Sequence, residues 1–188
     1  MEDVYLEYLI KKKKDGKQIA IVAVVSVLAA VISLALFYFM FALAYASSMA
    51  GAPFGSFIFG IGLVLVAFAW YGAYLVITMQ NIEFEYILTN SELDIDKILS
   101  KKGRKSFASF DFKDVTVCAS IDDEAHAHEY NTLIDKTYDA VGDYSRGGVY
   151  FADYTENGDR IRVLFQPTYK MISTAKRFNM RNIFVKED

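Results

Sequence analysis

Two histidines, His126 and His128, stand two residues apart in the acidic run DDEAHAHE at residues 122–129. On a strand, positions two apart share a face, so both imidazoles could chelate one divalent metal, with Asp123 or Glu129 completing the set. A His-x-His pair without fixed partners does not by itself define a metal site. The run is therefore expected to be an exposed acidic loop, and no metal is expected. The single cysteine, Cys118, sits in the alternating stretch TVCAS. It is expected to be a buried small hydrophobe rather than a reactive thiol, and one cysteine forms no intramolecular disulfide. The acid pairs Asp94/Asp96 and Asp122/Asp123 read as solvent-facing or loop residues. The chain has no glycine-rich phosphate loop, no Gly-x-Ser-x-Gly and no His-Glu-x-x-His. Catalysis and cofactors are accordingly not expected. A small membrane-bound enzyme or metal sensor built on residues 122–129 is the competing reading.

Two other constellations point to binding. The basic turn Lys101-Lys102-Gly103-Arg104-Lys105 presents four cations within five residues. Near an anionic leaflet each is worth about 1 kcal/mol, so Lys101, Lys102, Arg104 and Lys105 are candidate lipid contacts; the alternative is a solvated hairpin turn. Tyr130, Tyr138, Tyr144, Tyr150 and Tyr154 make residues 130–154 rich in tyrosine. They are candidates for a partner surface, because tyrosine is enriched at interfaces. They would equally serve as packing residues with a polar tip.

The elements that position these groups begin with a charge-free stretch. Residues 18–82 contain no Asp, Glu, Lys, Arg or His, in a chain where 23% of residues are charged. A bilayer core about 30 Å thick needs about 20 apolar helical residues, so 65 residues fit two spans and a turn. The spans are placed at about 19–45 and 57–79, within a transmembrane hairpin at 18–82. Gly51, Pro53 and Gly55 mark the connection. Ala44-Tyr45-Ala46 has the small-x-small form of a cleavage site. A signal core is roughly 7–15 apolar residues, whereas this run continues from 19 to 46, so it reads as a retained helix. Lys11–Lys14 and Lys17 precede the first span, Lys97, Lys101 and Lys102 follow the second, and the connecting loop has neither Lys nor Arg. The positive-inside rule then predicts an inner-membrane, multi-pass protein with both termini cytoplasmic. The absence of ionisable groups in the spans argues against transport. The cytosolic segment 1–17 is expected either as a helix lying at the membrane surface or as a frayed tail.

Beyond residue 82 the period changes. Phe84, Tyr86 and Leu88 alternate with polar neighbours, a turn follows at 89–91, and Leu93 and Ile95 alternate with Asp94 and Asp96. Further strands are predicted at 105–110, 115–119, 149–154 and 161–165, with mostly loop over 122–147. A terminal helix follows Pro167, with Met171, Ile172, Ala175 and Phe178 on one face. The fold class is therefore α+β: a two-helix transmembrane hairpin, then an antiparallel sheet or partly open barrel with one C-terminal helix, over 83–188. That tail has 15 Lys or Arg and 19 Asp or Glu, a mildly acidic balance that disfavours nucleic acid.

The segment FEYILTNSELDIDKILSKKGRKSFASFDFKDV resembles the opening of bacterial pleckstrin-homology-like domains. The longer pattern from EYLIKKKK through EFEYILTNSELDIDKI to LFQPTYKMISTAKRF resembles an uncharacterised family of bacterial two-pass membrane proteins. The acidic stretch 122–147 departs from a compact seven-strand pattern. The resemblance implies no known activity and no catalytic residues. Together these readings predict a membrane-anchored binding or scaffolding domain at the inner leaflet, touching anionic lipid or a protein partner. The helical hairpin offers a surface for self-association, and a subunit of a larger membrane complex is a third reading.

Overall fold

The computed structural model describes residues 3–51, 54–100 and 103–186 and divides into two units. The first is the helical stretch Lys14–Asn81. Helix α1 (Gly16–Met49) and helix α2 (Gly55–Met79) run antiparallel. Small residues allow the approach. A Cβ on Gly62 would lie 1.4 Å from Met40 Sδ, so the methionine packs where only glycine leaves room. Trp70 Nε1 donates to Ser33 Oγ at 3.0 Å, which ties the two helices together. Phe41 and Phe59 meet edge-on with ring centroids 5.2 Å apart. Both helices are long and apolar enough to cross a membrane, and only 11% of each apolar stretch is buried. Leu34 and Phe57 are among many large apolar side chains facing outward, the opposite of a soluble core helix.

The second unit joins Met1–Lys13 to Ile82–Asp188. Its first sheet contains β1 (Tyr5–Lys11), β2 (Ile82–Thr89), β3 (Glu92–Leu99) and β4 (Gly103–Asp111), antiparallel and in that order. Its second contains β5 (Val117–Ser120), β6 (Lys136–Asp139), β7 (Tyr150–Glu156) and β8 (Asp159–Phe165), in the order β5-β7-β8-β6. Between β5 and β6 lies a single helical turn, α3 (Ala127–Tyr130). Phe84, Tyr86, Leu88, Leu93, Ile95 and Phe110 face Tyr154, Val163 and Phe165 in one core. Helix α4 (Tyr169–Lys176) closes it with Met171, Ile172 and Ala175. Thr168, not Pro167, caps this helix by accepting from the Met171 amide. The β7–β8 turn is Asn157-Gly158, both at positive φ, as a two-residue hairpin requires. Tyr86 Oη ties the sheets together: it donates to the Ala140 carbonyl at 2.8 Å and accepts from the Gln166 amide at 3.2 Å.

The α+β class is as expected, with two separate four-stranded sheets. Two expectations are corrected. Residues 5–11 form neither a surface helix nor a frayed tail but edge strand β1, paired with β2 from Tyr5↔Thr89 to Lys11↔Glu83. The period-two alternation of Leu6, Tyr8 and Ile10 with Tyr5, Glu7 and Leu9 carries this, and Ile10 reaches the core. Its packing is tight: a Cβ on Gly142 would lie 2.4 Å from Ile10 Cγ1. The second sheet is not antiparallel throughout, and the exception lies in the largely loop stretch 122–147. That stretch contains α3 and β6, and β6 pairs parallel to β8.

Candidate functional site

The register of the first sheet gathers basic residues at one end. Lys11 pairs with Glu83, Ile82 with Leu99, and Leu99 with Gly103. The Lys12 amide donates to the Ile82 carbonyl at 2.8 Å. The exit of β1, the entry to β2 and the β3–β4 turn therefore share one edge, lined by Lys11, Lys12, Lys13, Arg104 and Lys105. Lys101 and Lys102, within that turn, lie outside the described residues. Lys13 is held outward-facing by Asp143 at 3.4 Å and Ser145 Oγ at 3.1 Å. The Ser145 hydroxyl and amide hold the Asp143 carboxyl below its ordinary value, and Lys13 adds to this. Lys105 is exposed. Arg104 is committed elsewhere: its Nη2 donates to Glu85 Oε1 at 3.0 Å.

That pairing reveals a group that sequence reasoning missed. Glu85 is 1% exposed, although it lies on the face of β2 away from the core. It is covered by neighbouring side chains rather than sunk among core residues. Asp96 pairs opposite it on β3, and Leu9 opposite it on β1. Glu7, diagonal to it on β1, lies within hydrogen-bonding reach, and the Tyr5 hydroxyl donates to Glu7 Oε2 at 3.1 Å. Glu85 Oε2 is buried with no donor beside it.

The second sheet carries an open polar cleft of about 470 Å³, lined by Thr116, His126, Glu129, Arg160 and Phe184 among others. His126 Nδ1 contacts Asp123 Oδ2 at 2.9 Å, and its ring lies 3.9 Å from that of Phe184. The His126 contact lowers the Asp123 pKa. The shared-face geometry that would let His126 and His128 chelate one metal is not formed. They sit on consecutive helical turns, where residues two apart diverge, and His128 is exposed. Among the described residues no three His, Cys, Asp or Glu side chains are grouped to hold a metal ion. Cys118 is fully buried, and burial pushes its thiol pKa far up.

The tyrosines do not form one surface. Tyr150 and Tyr154 are buried, which corrects their assignment to a partner face. Tyr150 Oη accepts from the Lys186 amide, and Tyr154 stacks on Phe110 at 5.4 Å. Burial raises the Tyr154 hydroxyl to about 12. Tyr138 packs edge-on to Phe107, and Tyr130 against Phe151. Only Tyr144 of the five is well exposed.

Beneath the cleft lies a buried ion pair. Arg162 grips Asp153 with two bonds of 2.7 Å, from Nε to Oδ1 and from Nη2 to Oδ2. It also donates to the carbonyls of Tyr130 and Glu129 and sits against both the Tyr130 and Phe151 rings, 4.9 Å from each centroid. This one side chain pins α3 to the β7–β8 hairpin. The signal was a lone cation in the apolar run IRVLF.

Two antiparallel-rich sheets over one core, closed by a C-terminal helix, define a pleckstrin-homology-like class of domain. The comparison with family models agrees: the chain belongs to the family described as bacterial PH-like domain (DUF6106), which matches residues 2–185 and so runs through the helical hairpin. No curated protein and no solved structure matches the chain.

Proposed function

We propose that the chain is a membrane-anchored binding module whose PH-like domain touches anionic headgroups with the basic end of its first sheet. The observation that carries this is the strand register. Both chain connections to the helical hairpin leave from the same sheet end that bears Lys11–Lys13 and the 103–105 segment. Residues before and after the hairpin build one sheet, so a chain crossing the membrane between them must return to the side it left. This supports two spans with the domain on a single side, and the lysine distribution favours the cytoplasmic side. Anchoring raises the local concentration of lipid at the basic edge, so a weak contact suffices.

The test uses the full chain in lipid nanodiscs and reads amide hydrogen exchange at residues 11–13 and 103–106. Protection there is expected to rise in anionic over zwitterionic lipid. Changing Lys101, Lys102 and Lys105 to Ser is expected to remove the difference, a loss on the order of 3 kcal/mol of contact energy. Arg104 is left intact because its removal would unpair Glu85. Equal protection in both lipids, or an unchanged triple variant, overturns the reading.

A further inference from the structure

We propose that Glu7 and Glu85 share a proton, and that this proton latches edge strand β1 onto β2. The geometry leaves little else for Glu85. One oxygen is satisfied by Arg104; the other is buried, has no donor, and has only a second carboxylate within reach. Two ionised carboxylates cannot hydrogen-bond one another, whereas one proton between them supplies the missing donor. The charged and titratable groups around Glu85 are Tyr5, Glu7 and Lys11 from β1, Glu83 on its own strand, Asp94 and Asp96 from β3 and Arg104 from β4. Arg104 is the cation bonded to Glu85, and Lys11 stands opposite Glu83 on the same face. Burial, then the Glu7 contact, raise the Glu85 pKa above the usual carboxylate range, with Arg104 opposing.

The sign follows from linkage. When β1 lifts away, Glu85 meets water and its pKa falls to the ordinary value. The closed form therefore holds more proton. The latch is fully engaged below the ordinary carboxyl range and is lost as pH rises through the raised folded-state value. β1 leads directly into the lysines that precede α1, so this proton controls how firmly the N-terminal connection is bound to the sheet.

The experiment measures hydrogen exchange of the β1 amides in the full chain in detergent, expressed as protection relative to the intrinsic rate at each pH. In the wild type, protection is expected to fall by up to about tenfold per pH unit across the window between the two pKa values, then level off. Glu85→Gln keeps an acceptor for Arg104 and supplies a permanent N–H toward Glu7. Protection in that variant is expected to stay high and flat. Glu7→Gln, at an exposed position that does not put folding at risk, is expected to shallow the pH dependence without removing it, because burial still raises Glu85. Flat wild-type protection between about pH 4 and 8, a pH dependence that survives in Glu85→Gln, or one left unchanged in Glu7→Gln, overturns the latch.

Discussion

Joining residues 1–13 to 82–188 through a short glycine-containing turn is expected to give a soluble, folded domain, whereas residues 82–188 alone are expected to aggregate. β1 and β2 are neighbouring antiparallel strands, and the Lys12 amide already bonds the Ile82 carbonyl at 2.8 Å. The hairpin Lys14–Asn81 thus occupies the position of a tight β-turn, and a turn of about two residues suffices to bridge such strands. Neither core cluster includes a residue from 14–81. Dropping β1 has the opposite effect. Ile10 is buried, Leu6 and Tyr8 are packed against the core, and Tyr8 lies 6.0 Å from Tyr86. Losing these three side chains costs on the order of 5 kcal/mol, comparable to the whole stability of a small domain. It also leaves β2 as a bare apolar edge open to strand addition. Size-exclusion chromatography and the dispersion of amide NMR signals would separate the outcomes. An aggregated joined chain beside a folded 82–188 fragment would refute the account.

Arg162→Ala and Asp153→Ala are each expected to destabilise the domain by about 3–5 kcal/mol. Each leaves a buried charge without its partner, since both side chains are almost wholly covered. Arg162→Ala carries a second loss, the two carbonyls of α3 that the guanidinium holds. Replacing both residues together by Met and Leu is expected to cost much less than the two single changes summed, because no unpaired charge remains. Urea unfolding of the full chain, followed by protease susceptibility, would measure the cycle. Additive losses would show that the pair contributes little beyond the packing of its two side chains.

The hairpin of two long apolar helices was legible because its signal is compositional: a long stretch without charge leaves few alternatives. Strands β2, β3, β7 and β8 were legible because one face of each is buried and their residues alternate or run apolar. The β6 strand was not. KTYD at residues 136–139 is four residues long, has no fully buried side chain, and takes its place by parallel pairing with β8, a long-range contact that leaves no local period. β1 was obscured by its neighbours. Its clear alternation runs straight into the lysines 11–14 and an apolar helix, a context that suggested a surface helix or a frayed tail. Of the candidate site, the cations of residues 101–105 could be read as a patch. The commitment of Arg104 to Glu85 could not, because Glu85 looks solvent-facing on its own strand and is buried by what β1, β3 and β4 place over it.

The interruption of the β1–β2 connection by 68 residues also orders events during synthesis. β1 leaves the ribosome with no partner and waits several seconds for β2, at about 5–20 residues per second. Closing so long a flexible loop carries an entropy cost that a tight turn avoids. Pairing of α1 and α2 removes most of that cost, because antiparallel helices return the chain to the level at which it left. The sheet is thus completed after the helices have found each other, and pairing of the helical hairpin becomes a step in folding the other unit.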